Sequence, residues 1–154
     1  KFFNENKSKV YIHNLAVEYD NNFNFRKKKL KERKININIW PRFSPTSCIS
    51  VRREYFKKCY KNINFLKFPN IWMDFRMAVY FSFVEKNFYI LPSYFTYYFQ
   101  HKSSVSSQFG FFTRSWWSRR FEAHKYMEFF LKRNKNKYKF SLDFFVCKLL
   151  KIFY

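Results

Sequence analysis

Residues 141–154, SLDFFVCKLLKIFY, carry the clearest periodicity in the chain. Leu142, Phe145, Val146, Leu149, Leu150 and Phe153 recur at i, i+3, i+4, i+7, i+8 and i+11, the spacing of one apolar face on an α-helix. Ser141 stands where an N-cap belongs, and Asp143 in the first turn suits the positive end of the helix dipole. Lys148 and Lys151 fall on the other side. Such a stripe predicts docking on a neighbouring protein or on this chain's own core, not on a polyanion.

The same reading extends towards the N-terminus. Residues 135–139 form a basic linker. Residues 119–133 predict a helix capped by Ser118, with Ala123, Met127, Phe130 and Leu131 on one face. Residues 101–110 are Ser-rich and loop-like and contain the only glycine, Gly110. Residues 94–100 fit a short helix or a short strand, and Leu91-Pro92 breaks the chain. Residues 71–86, capped by Asn70, predict a helix too apolar for a clean stripe and therefore buried on several sides. Ser50 caps a basic helix over residues 51–65, which Pro69 stops. On that helix Tyr55 and Cys59 share one face, and Phe56 and Tyr60 the adjoining one.

Residues 41–50 have turn chemistry, and residues 35–40 (ININIW) alternate as one short strand would. Residues 26–34 (RKKKLKERK) are a basic run, and residues 1–24 predict an extended arm. The expected fold class is mainly α: a small helical domain with extended basic arms and irregular loops. Its expected parts are an N-terminal arm over 1–49, a helical domain over 50–134, and a basic linker with the amphipathic helix over 135–154.

Charge bounds the function. The 154 residues hold 31 Lys+Arg against 10 Asp+Glu, a net +21, and 26% of them are aromatic. That imbalance opposes compaction unless a polyanion offsets it, and nucleic acid is the commonest polyanion. Gly and Ala are scarce while Phe, Tyr, Asn, Lys and Ile abound, the mark of an AT-rich coding sequence such as an organelle genome. Part of the Phe and Lys content therefore reflects codon bias. The arginine pairs Arg52-Arg53 and Arg119-Arg120 are harder to explain that way. Residues 77–84 and 88–99 are too short or too interrupted to span a membrane. Glu5, Glu18 and Asp20 rule out an acid-poor transit peptide over residues 1–20. Cys48, Cys59 and Cys147 have neither zinc nor disulfide-framework spacing and predict free thiols.

No catalytic set emerges. His13, His101 and His124 are scattered, and the plain reading is surface or RNA-facing histidines. One glycine cannot build a phosphate loop. Basic-aromatic interleaving remains. Arg52, Arg53, Lys57, Lys58 and Lys61 surround Tyr55, Phe56 and Tyr60, against the plain reading of a solvated basic helix. Residues 113–120 place Trp116 and Trp117 among Arg114, Arg119 and Arg120, which suits a loop pressed into folded RNA, against the plain reading of core tryptophans. Lys132 and Arg133 complete the expected RNA-binding set.

At these residues the chain resembles the small-subunit ribosomal protein 14 family, in its zinc-free bacterial and organellar form. The family's aromatic-basic helix is similar to Glu54-Tyr55-Phe56-Lys57-Lys58 with Leu66-Lys67. Its next helix is similar to Asp74-Phe75-Arg76-Met77-Ala78-Val79-Tyr80-Phe81. Its Leu-Pro and Ser-Ser segments are similar to Leu91-Pro92 and Ser103-Ser104, and its Arg-rich loop to Thr113-Arg114 and Arg119-Arg120-Phe121. That loop's glycines are absent here. The resemblance covers about half the chain. It implies a structural constituent of a mitochondrial small ribosomal subunit, bound to rRNA in the head beside neighbouring ribosomal proteins. It implies no catalysis, cofactor, metal, membrane or small-molecule substrate, and a mitochondrial matrix location. The competing expectation is a structural subunit peripheral to an inner-membrane respiratory complex.

Overall fold

The computed structural model describes residues 2–19, 24–27, 40–41, 45–63, 65–99, 109–138 and 141–153. The strand expected over 35–40, except Trp40, most of the basic run 26–34 and most of the loop 101–110 lie outside the described residues. The chain forms two compact units. One comprises Lys1–Lys34, Pro41–Ile63 and Met73–Gln100, the other Ile35–Trp40, Asn64–Trp72 and His101–Tyr154.

The first unit is built on a mixed four-stranded sheet, so the fold is α/β and the expectation of a mainly α domain with extended arms is corrected. After a short helix α1 (Phe2–Glu5), strand β1 (Tyr11–Tyr19) runs through the middle. Strand β4 (Phe88–Phe99) lies parallel to it, from the Tyr11–Phe88 pair to the Tyr19–Phe99 pair. Strand β3 (Ile49–Val51) pairs antiparallel with β1 at Tyr11, Ile12 and His13, and strand β2 (Phe25–Lys27) at Val17, Glu18 and Tyr19. Because β4 covers one edge of β1 along its length, β2 and β3 share the other edge, one at each end. The supposed N-terminal arm therefore supplies the central strand. Residues 10–17 are all buried, so β1 shows no alternation of polar and apolar residues, the pattern of a strand covered on both faces.

Pro92 does not break β4. The register with β1 shifts between Asn14 and Leu15, where the partner jumps from Leu91 to Tyr94 and leaves Pro92 and Ser93 out of the ladder. A bulge is where a strand tolerates a residue without an N–H.

Between β3 and β4 come helix α2 (Arg53–Asn62) and helix α3 (Met73–Val79). Ser50 is not the cap of α2: it belongs to β3, and pairing with β1 delays the helix to Arg53. Helix α3 continues into a wider turn over Tyr80–Val84, in which the Tyr80 carbonyl accepts from the Glu85 amide at 3.1 Å. Residues 75–83 are buried throughout, as their apolar density predicts. Phe81 stacks on Tyr11 at 4.3 Å and 9°, and Phe88 packs against both Tyr11 and His13.

The second unit pairs helix α4 (Arg114–Arg133) with helix α5 (Leu142–Phe153). Thr113 caps α4, its hydroxyl accepting from the Trp116 amide at 3.3 Å. The segment expected as a loop over 113–120 is thus the first two turns of the helix, and Ser118 lies within it. Ala123, Met127, Phe130 and Leu131 form the buried face, as their spacing predicts, joined by Trp117, Tyr126 and Phe68.

His13 is buried, contrary to the surface expectation. Its Nε2 lies 2.7 Å from the Tyr11 hydroxyl. Burial holds the imidazole down at about 3 and the Tyr11 phenol well above its ordinary range, so at neutral pH the hydroxyl donates and the ring accepts. A histidine depressed in the fold binds its proton only in the unfolded chain between about pH 6.5 and 3, so its contribution to stability is lost as pH falls through that window. His13→Phe should remove up to about 1.4 kcal/mol per pH unit from the slope of unfolding free energy there. Urea melts from pH 7 to 4 check this, and parallel slopes for the two proteins would refute it.

Candidate nucleic-acid interface

Helix α2 separates its residues by angle. Cys59 is fully buried, and Tyr55 and Phe56 are half-buried beside it. Arg53, Lys57, Tyr60 and Lys61, at i, i+4, i+7 and i+8, form one exposed stripe. Among the described residues Arg53, Lys57 and Lys61 make no ion pair. Lys58 is also exposed but sits 2.6 Å from Glu85. Burial pushes the Glu85 carboxyl up, but hydrogen bonds from Lys58 and Tyr80 outweigh it and hold it below its ordinary range. Lys58 is therefore partly neutralised.

Arg52 departs furthest from its expected role on this helix. It is half-buried, and its guanidinium donates to the carbonyls of Lys9 (2.9 Å), Asn6 (3.4 Å) and Phe3 while lying over the Phe3 ring. It ties the segment after α1 to the start of α2, and its donors are engaged with carbonyl oxygens.

The arginine-tryptophan cluster of α4 also turns inward. Trp117 is buried and Trp116 half-buried. Arg119 is buried, its guanidinium stacked over Trp72 and lying 4.0 Å from the Phe109 ring centre. Arg120 donates from Nε to both carboxylate oxygens of Asp143, at 2.9 and 3.0 Å, with its guanidinium over the Trp40 ring. Arg114 and Arg133 remain exposed. Lys132 is exposed but paired with Glu128 at 2.9 Å, as is Lys125. The cluster looked like an RNA-binding loop because only its composition was visible; its helical phase directs most of it into the protein.

Asp143 is the centre of a second network. Its Oδ2 lies 2.6 Å from Nε2 of His124, whose Nδ1 is 2.9 Å from the Tyr138 hydroxyl, and its Oδ1 is 3.9 Å from the Cys147 sulfur. His124 is buried, again contrary to the surface expectation. His124, Asp143 and Cys147 place their ligand atoms within 4.8 Å of one another, the one such group among the described residues. The donor set argues for a clamp over a metal centre. Arg120 already neutralises the carboxylate, and burial pushes the Cys147 thiol up to about 11, so it is protonated. Burial lowers His124, partly offset by Asp143. Hydrogen bonds from Arg120 and His124 overcome burial and lower Asp143. Cys48, Cys59 and Cys147 are free and buried, as expected.

Helix α5 meets α4 with residues outside its long apolar stripe, so of the two expected docking partners the stripe does not take this chain's own core. Phe144 and Cys147 face α4, where Phe144 stacks on Phe121 at 5.5 Å. Of the periodic stripe, Leu142, Phe145, Val146 and Leu149 are exposed and Leu150 is half-buried, and Ile152 is exposed beside them.

Sequence reasoning missed one feature. Phe95, Tyr97 and Phe99 alternate along β4 as an exposed row beside Tyr19 and Phe25. Every second residue pointing outward is the signal, but in YFTYYF nearly all residues are aromatic, so no polarity marks the outward positions.

Among the described residues no helix is long and apolar enough to cross a membrane. Comparison with known protein families, curated proteins and solved structures finds no match.

Phe144→Asp should cost about 3 kcal/mol or more and release α5, because it buries a charge where a ring stacked. Leu149→Asp should stay within about 0.5 kcal/mol, as exposed substitutions do. Hydrogen exchange across residues 142–153 measures both, and equal protection loss in the two variants would overturn the orientation of α5.

Proposed function

We propose that this chain is a non-catalytic RNA-binding protein, a structural constituent of a mitochondrial small ribosomal subunit that contacts rRNA in the head. The observation that carries the reading is the α2 stripe, three exposed cations that make no ion pair among the described residues, around an exposed tyrosine. Such a surface neutralises phosphates, and a ring among the cations stacks on an unpaired base. The net +21 supports a polyanionic partner for the whole chain. The ribosomal assignment rests on the family resemblance, whose longer segments fall in α2, in α3 with the turn after it, and in α4, while Leu91-Pro92 falls in β4 and Ser103-Ser104 lies outside the described residues. Arg114 and Arg133 are the residues of α4 that extend this set, with Lys132 shared with Glu128.

The second reading, a peripheral subunit of an inner-membrane respiratory complex, is favoured by the exposed apolar stripe of α5, which calls for a protein neighbour. Co-sedimentation with ribosomal subunits after detergent and high salt separates the two.

Changing Arg53, Lys57 and Lys61 together to Gln should lower the slope of log affinity for RNA against log salt by about 2, near 0.7 per lost phosphate contact. Arg52→Gln should leave that slope unchanged and lower the thermal midpoint, because its donors are used within the fold. Filter binding at several salt concentrations and a thermal melt read the two effects. The reverse assignment, a changed slope for Arg52→Gln alone, would sink the proposal for this face.

A further inference from the structure

We propose that the outward face of the sheet made by Tyr19, Phe25, Phe95, Tyr97 and Phe99 is a stacking platform for unpaired bases of single-stranded RNA. The inference rests on the RNA-binding reading above and adds a second, chemically different surface to it.

Tyr19, Phe25, Tyr97 and Phe99 share one face by register, and Phe95, which a second register shift between Leu15 and Ala16 leaves out of the ladder, is exposed two residues before Tyr97. Tyr19 pairs in register with both Phe99 of β4 and Phe25 of β2, and Val17 pairs with Tyr97, so their side chains share a side of the sheet. The ring of Tyr19 lies 4.5 Å from that of Phe25 and 5.6 Å from that of Tyr97, linking the strands. Yet the rings are not core: Phe25 is 69% exposed, Phe95 71%, Tyr97 72% and Phe99 49%. Alternate residues on a regular strand stand about 6.6 Å apart, so Tyr97 and Phe99 give room for two splayed bases, with Phe95 exposed at the bulge before them.

The chemistry selects the occupant. The exposed members are rings, not the Leu and Met of a helix-binding groove, and every base offers a π-face to a ring. Among the described residues, the β1 partner of Tyr97 is the apolar Val17, and Glu18 belongs by alternation to the opposite side, so the described strands carry no acid on this face. In sequence Phe25 leads directly into residues 26–34, which hold seven Lys/Arg and one Glu. A basic run joined in sequence to an aromatic strand complements a polyanionic strand better than another basic copy of this chain.

The test uses the full chain with two probes, a labelled twelve-nucleotide oligouridine and an RNA duplex of the same length. Tyr97→Ala with Phe99→Ala should weaken oligouridine binding about 10- to 100-fold, as loss of stacking on two bases does, with duplex affinity and salt slope unchanged. Tyr97→Phe with Phe99→Tyr should stay within about 2-fold of the parent. In the parent protein, ultraviolet crosslinking of 4-thiouridine in the oligonucleotide should label the peptide holding residues 95–99, a readout that needs no variant. Unchanged oligouridine affinity in the double alanine variant, equal losses on both probes, a shift in oligomeric state, or crosslinks elsewhere would each overturn the platform while leaving RNA binding through α2 intact. Failure of the parent protein to bind either probe would overturn both.

Discussion

A strand buried on both faces must have its edges filled and its side chains matched by every element around it, and β1 imposes that condition on the first unit. Its backbone is paired with β4 along one edge and with β2 and β3 along the other. Its Tyr11 ring is fixed by the stack on Phe81, which places the wide turn after α3. Because β3 is held at one end of β1, the next helix starts at Arg53 and its cationic stripe is set outward. Because β2 and the end of β4 are held at the other end, the exposed rings gather there. Both proposed RNA-contacting surfaces are thus consequences of one strand's burial.

Arginine serves opposite ends in this molecule. Arg52 and Arg120 spend donors on carbonyls and a carboxylate, and Arg119 and Arg120 lay their flat faces on aromatic rings inside the units. The guanidinium suits this because it is planar, weakly hydrated and able to stack. Arg53, one residue from Arg52, projects from the exposed stripe. Local composition cannot separate such neighbours, since a single residue on a helix turns the side chain by about 100°.

The same logic explains what the sequence made legible. The helices α2, α4 and α5 were readable from periodicity; of their expected caps only Ser141 holds, accepting from the Phe144 amide at 3.3 Å, while Ser50 lies in β3 and Ser118 inside α4. The buried face of α4 followed from its spacing. The strands were hidden for two physical reasons. Residues 10–17 are covered on both sides and carry no alternation, and β4 is so rich in rings that its inward and outward positions look alike. Which face of α5 meets this chain was not legible because its longest apolar stripe is not the face turned to α4: one stacked ring, Phe144, and the Arg120–Asp143 bridge hold it there. Basic residues were found correctly as a set, but whether each faces phosphate or protein depends on helical phase and on distant carbonyls.

The parallel pairing of β1 with β4 also fixes an order of events during synthesis. β1 is made early, while its partner along the whole of one edge begins only at Phe88. Until then the nascent chain carries an apolar strand with an open edge, and closing it means joining segments more than seventy residues apart, a non-local contact of the kind that slows folding. Early pairing is confined to the other edge, where β2 and then β3 join β1, the latter 48 residues before β4 is complete at Phe99. The first unit is therefore a late-closing structure, and its yield depends on how quickly ribosomes deliver residue 99 after residue 51.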